Sequence, residues 1–133
     1  MMDLVSDLRT WTMAQLTGLY ATMTKDNWGS NVEALMIRGD PSSAVVTPFI
    51  DGSSTGSQQV TFYARSANPA TAKNALDAIY AKYNQPEIAL TGVLCIRVNP
   101  VSLPAFVSKE DSGESIYSMT VNVDFDGKNP IGV

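Results

Sequence analysis

Histidine is absent from this 133-residue chain, and cysteine occurs once, as Cys95. The missing imidazole removes the side chain used most often for acid–base catalysis near neutral pH and for metal ligation. A single thiol cannot close an internal disulfide, so no oxidising compartment is indicated. Cys95 stands in the apolar run Val93-Leu94-Cys95-Ile96, where a small buried hydrophobe is expected and not a nucleophile. Charge is scarce as well: charged residues make up 17% of the chain, against a typical ~25%. The nine basic residues are scattered and the net charge is −4. Binding to nucleic acid through counterion release needs clustered Lys and Arg, and there is no such cluster. A weakly acidic wall would let DNA slide past without sticking. No long apolar run and no basic leading segment is present, so neither a signal peptide nor a membrane span is expected. The expectation is a protein made in the cytoplasm, with no membrane partner.

What is present is enough for one domain over residues 1–133, able to bury roughly two-thirds of its unfolded surface. Leu4, Leu8, Trp11, Leu16, Leu19, Tyr20 and Met23 follow helical spacing, which predicts a helix from Asp3 to about Met23. Gly18 and five threonines lower its intrinsic propensity, so packing must hold it. Short strands are expected at Ala34–Ile37 and Ala44–Ile50, with Pro48 placing the second at an edge or bend. Asp51 to Ser57 carries no apolar side chain and reads as a long, flexible hairpin tip. Val60–Arg65 is β-branched and aromatic, a strand. Asn68-Pro69 then caps and opens a helix whose apolar stripe is Ala72, Ala75, Leu76, Ile79, Tyr80 and Tyr83. Val93–Val98 reads as a further strand. Pro100 and Pro104 forbid a regular ladder and predict an extended run along an edge. Tyr117, Met119, Val121, Val123 and Phe125 alternate strictly with polar residues, which predicts a strand with one face in the core. Residues 127–133 read as a mobile tail. The fold class expected is α+β, with four to five strands, an N-terminal helix and a central helix.

Several stretches mimic chemistry. Gly52-Ser53-Ser54-Thr55-Gly56 matches the G-x-S-x-G of serine hydrolases, but that motif needs a strand-to-helix elbow and a base. Here it lies between two strands in a chain without histidine. Asp124-Phe125-Asp126-Gly127 looks like the start of a calcium loop, yet a strand precedes it and the bidentate Glu at the twelfth position would fall beyond Val133. Glu110, Asp111 and Glu114 are close together, but in a solvated turn with no apolar pocket to raise a pKa. Trp11 and Trp28 flank the first helix; core packing is their default role and partner anchoring the sharper alternative. No catalytic residue, cofactor or metal ligand is assigned. An enzyme is disfavoured.

The order of these elements resembles that of bacteriophage minor capsid or tail-terminator (tail-completion, head–tail joining) proteins of long-tailed phages. The resemblance rests on the N-terminal helix, Leu35-Met36-Ile37-Arg38-Gly39-Asp40-Pro41, the Asp51-Gly52 loop, Phe62-Tyr63-Ala64-Arg65-Ser66 running into the 72–83 helix, and the closing strand 116–125. It is a pattern of elements without a diagnostic signature. It implies helices packed on one side of a mostly antiparallel sheet, and a homo-hexameric ring. Such a ring would cap the tail tube at the head–tail junction of the virion, stop polymerisation and meet the head-completion or connector protein. Its partners would be copies of itself, the tail-tube protein and the connector, with DNA passing through unread. On this resemblance Asp51, Ser53, Ser54, Thr55, Gln58 and Arg65 are the candidate partner-binding residues, presented by the loop and its exit strand. The alternatives are another small head–tail joining protein, or a generic intracellular protein-binding module without catalysis.

Overall fold

The computed structural model describes residues 4–28, 32–39, 45–48, 53–83, 88–90 and 93–128. In chain order these form α1 (Leu4–Gln15), β1 (Met23–Lys25), β2 (Ala34–Gly39), β3 (Val45–Pro48), β4 (Ser53–Ser66), α2 (Pro69–Tyr83), β5 (Ile88–Leu90), β6 (Val93–Lys109) and β7 (Ser115–Lys128). The fold is α+β, with both helices on one face of a single sheet. The sheet order is β1-β2-β4-β7-β6-β5, with β3 pairing the outer part of β4. Only the β1–β2 pair is parallel among the described strands. Seven strands exceed the four to five expected, because β1 and β5 are three-residue pieces that no periodicity window resolves.

The centre of the sheet is the long antiparallel pair β4–β7, in register from Ser53↔Lys128 to Ser66↔Ser115. Period-two alternation turns Val60, Phe62 and Ala64 of β4 toward the helices, together with Met119, Val121 and Val123 of β7. α2 answers with Ala72, Ala75, Leu76, Ile79 and Tyr83, all buried. Each large side chain taken fully out of water here contributes about 1.5–3 kcal/mol. Phe62 stacks at a tilt on Tyr83, with centroids 5.5 Å apart, and Trp11 packs against Tyr83 from the other side at 5.1 Å. The strand that leads into α2 is thus joined to the last strand by direct pairing.

α2 starts as its sequence implies. The Asn68 side-chain oxygen accepts from the Ala70 N–H at 3.0 Å, and Pro69 is the first helical residue. α1 is shorter than expected. It ends at Gln15, and the chain turns through Thr17 and Gly18 into β1 where a helix to Met23 was anticipated. β-branched Thr24 loses little as strand, and tertiary bonds hold the new path. Arg9 Nε donates to the Met23 carbonyl at 2.6 Å, and Thr24 Oγ1 donates to that of Leu35 at 3.2 Å. Thr12, counted in the sequence only as a helix weakener, is buried. Its hydroxyl donates to the Leu8 carbonyl at 2.7 Å and meets the Tyr83 hydroxyl, tying α1 to α2.

Candidate assembly surface

β6 carries the feature that the core does not absorb. β5 covers only Val93–Cys95 of its outer side, so from 96 onward no described strand pairs beyond it. On its inner side it follows β7 with four register shifts, between Cys95 and Arg97, Pro100 and Ser102, Ser102 and Ala105, and Phe106 and Ser108. The residues skipped by the last three shifts include Val101, Leu103 and Val107. A β-bulge leaves its extra residue unpaired and turns it out of the ladder. Accordingly Val101, Leu103 and Val107, with Phe106, are 51% to 58% exposed, whereas the other large apolar side chains described, Val32 apart, are mostly covered. Proline is tolerated on such an edge, where a missing N–H costs no ladder bond. The extended edge anticipated around Pro100–Pro104 is what is found, as part of a 17-residue strand.

A second feature lies on the helical layer. Gly18, Leu19 and Tyr20 of the α1–β1 turn face Thr71, Asn74, Ala75 and Ala78 of α2 across an open groove of about 310 Å³. The Tyr20 hydroxyl fixes the groove floor by donating its one proton between the carbonyls of Ala34, at 2.7 Å, and Arg65, at 2.9 Å. Burial, and the Glu33 carboxylate nearby, push the Tyr20 phenol well above its ordinary range. The groove thus stands over the β2–β4 half of the sheet, whereas the bulged edge lies beyond β7. The two flank α2 on opposite sides.

The residues singled out from sequence do not form one patch. Asp51 lies outside the described residues. Ser53, Ser54 and Thr55 are in β4 and not in a loop, paired with Lys128, Gly127 and Asp126 of β7; Ser54 and Thr55 also pair with Pro48 and Thr47 of β3. The sequence implies a flexible tip here, but residues 53–57 are strand: β7 pairs with all five and β3 with 54–57. Gln58 is half-buried beside Gly39, on the core-facing side of β4. Arg65 is buried at the other end. Its guanidinium lies 4.5 Å above the Trp28 ring and 3.9 Å from the Glu110 carboxylate. With ~3.3 Å per residue, Ser53 and Arg65 stand about 40 Å apart along the strand. Trp28 in turn meets Tyr63 edge-on at 6.1 Å, so it serves the fold at this end of the sheet.

The chemical look-alikes dissolve in the same way. Ser53 to Gly56 is extended strand and not an elbow, and Gly52 is outside the described residues. Asp124 and Asp126 sit in the β7 ladder, while Gly127 and Lys128 continue that strand where a mobile tail was expected to begin. Residues 129–133 lie outside the described residues. Among the described residues no group of three or more His, Cys, Asp or Glu could hold a metal ion, and no helix is long and apolar enough to cross a membrane. The Glu114 carboxyl is held below its usual range, chiefly by the Ser112 hydroxyl and then by its own backbone N–H, with Arg65 contributing. It closes the β6–β7 turn, whose Glu110 and Gly113 backbone bonds, at 2.7 and 2.9 Å, complete it.

Sequence reasoning missed Val101, Leu103, Phe106 and Val107. The signal was there: apolar residues interleaved with two prolines belong to an edge, and an edge strand has one side without a partner.

No protein-family model matches the chain, and no curated protein matches it. Among solved structures it is similar to a chain from the virion of a native gene transfer agent particle. That chain is 11% identical, the TM-score is 0.65, and the match covers 93% of this chain and 95% of that one. Likeness at this identity establishes a common fold.

Proposed function

We propose that this chain is a structural subunit of a phage-like virion, and within it a tail terminator. It forms a ring at the end of the tail tube, stops polymerisation of the tube and joins the tail to the head connector. The observation that carries the virion part is the end-to-end agreement of fold with a virion chain: 93% of one and 95% of the other superpose. The terminator part is supported by the order of elements and by an edge strand whose apolar side chains face outward. A ring subunit needs such an edge, since closure buries it. The net charge of −4 suits a channel that DNA must cross without adhering.

The test is assembly. Purified protein, alone and with its cognate tail-tube protein, is followed by native mass spectrometry and negative-stain microscopy. A closed oligomer that caps tubes at one end supports the proposal. A chain that stays monomeric at high concentration and leaves tube length unchanged overturns it.

A further inference from the structure

We propose that the bulged edge of β6 docks into the groove between the α1–β1 turn and α2 of a second copy of this chain, so that copies join head to tail. The inference rests on the ring assembly proposed above and names the surfaces that build it. Leu103 and Phe106 are the protruding side chains, with Val101 and Val107 beside them. The groove they would enter is lined by Gly18, Leu19, Tyr20, Ala75 and Ala78.

Three observations favour a second copy over another occupant. The first is area. The exposed apolar surface of the four β6 side chains is roughly 400 Å², the scale of a functional patch on a monomer. A stable interface needs about 800 Å² per partner, with a more apolar centre and a polar rim. The patch can therefore supply the apolar centre of a standard protein–protein interface, about half its area. The second is shape. The groove, at about 310 Å³, is at the lower end of the ~300–1,000 Å³ of small-molecule sites. It suits an inserted apolar side chain better than a large ligand. The third is placement. Protrusion and groove are different surfaces on either side of α2, so seating one copy's protrusion in the next copy's groove leaves a free groove and a free protrusion at the two ends. Such heterologous contacts repeat, and they close into a ring where the rotation between copies divides a full turn.

Docking here is through side chains. Strand addition would need an unbroken row of backbone donors and acceptors along the outer side of β6. Pro100 and Pro104 lack an N–H, and the register shifts bend the row.

The experiment mixes two variants of the full chain, Phe106→Cys and Ala78→Cys, and treats the mixture with a short bis-maleimide. Cys95 is present in both, so each variant alone and the unaltered protein set the background. A 106–78 linkage that appears only in the mixture, mapped by peptide mass spectrometry, is the expected result. In parallel, Leu103→Asp should raise the self-association constant for dissociation by roughly a hundredfold, because it would bury an unpaired carboxylate. Its circular dichroism should be unchanged. An oligomer that forms without the 106–78 linkage overturns the inference and leaves the ring standing. So does a Leu103→Asp variant that self-associates normally but no longer caps tubes, which would make the tube protein the occupant. A chain that never associates removes both.

Discussion

The ring of Phe106 stands edge-on to that of Tyr117, with centroids 5.7 Å apart and planes at 76°. Tyr117 belongs to the face of β7 that continues inward as Met119, Val121 and Val123. Phe106 is more than half exposed. This one contact therefore joins the core to the outward edge of β6, and it sets what the edge does for folding apart from the assembly role proposed for it.

That separation is measurable. An aromatic pair of this geometry is worth about 0.5–1.5 kcal/mol beyond the area it buries, and Phe106 is more than half exposed, so Phe106→Ala should cost well under the ~3–5 kcal/mol of a core Phe→Ala change. Chemical denaturation should give an unchanged slope and a slightly lower midpoint. Native mass spectrometry should show a far larger effect, loss of the oligomer. Equal loss of stability and assembly would mean that Phe106 is a core residue after all.

Tyr20 makes the opposite case, a residue for folding. Its hydroxyl bridges the Ala34 and Arg65 carbonyls, and Tyr20→Phe leaves both acceptors short of a donor. The expected cost is about 1–3 kcal/mol. Burial and Glu33 raise the phenol above its ordinary value of 10.0. The folded state therefore holds the proton more tightly than the unfolded one. The stabilisation is complete below pH 10 and falls as pH rises above it. Urea midpoints from pH 8 to 11 should decline more steeply for the unaltered protein than for Tyr20→Phe.

Glu114 should govern the acid side. Its carboxyl is held below 4.5 in the folded chain by the Ser112 hydroxyl, its own backbone N–H and Arg65. A lowered pKa gives stability that is whole above the unfolded value and is lost as pH falls toward the folded one. Thermal midpoints between pH 5 and 3 should fall for the unaltered protein and flatten for Glu114→Gln. Parallel curves would show that the β6–β7 turn is indifferent to this charge.

The fold was legible wherever one period ran long enough. Nine alternating residues identified β7, and the Asn68-Pro69 cap with its apolar stripe identified α2 to the residue. It failed where tertiary bonds overrode local preference. The helical spacing of Leu16, Leu19 and Tyr20 continued past Gln15, yet Arg9 and Tyr20 anchor the chain there in a turn and a strand. The candidate site was legible only in outline. An apolar-free run from Asp51 to Ser57 reads as a presented loop, because a sequence does not reveal that β3 and β7 pair with its residues 54–57 from both sides. The prolines at 100 and 104 did announce an edge, but which apolar neighbours turn outward depends on bulges, and bulges are set by the partner strand.

Gly39 tests the packing of α1 on the sheet, and with it the place of Gln58. A Cβ built on Gly39 would lie 2.6 Å from Val5 Cγ2 and 2.9 Å from Gln58 Nε2. Gln58 is flexible at its end and can swing away, but Val5 is β-branched, buried and held by α1. Gly39→Ala must therefore move the first turn of α1 off β2, at a cost of about 1–3 kcal/mol. Val5→Ala should cost less in the Gly39→Ala background than alone, because it removes the atom that clashes. That non-additivity, read from a double-mutant cycle in urea, is the signature of direct contact. Gly18→Ala is the control. Nothing lies within 4 Å of its would-be Cβ, so it should be neutral in stability and, sitting on the groove, act on self-association alone. Additive effects at Gly39 and Val5 would place α1 elsewhere on the sheet and free Gln58 to meet a partner.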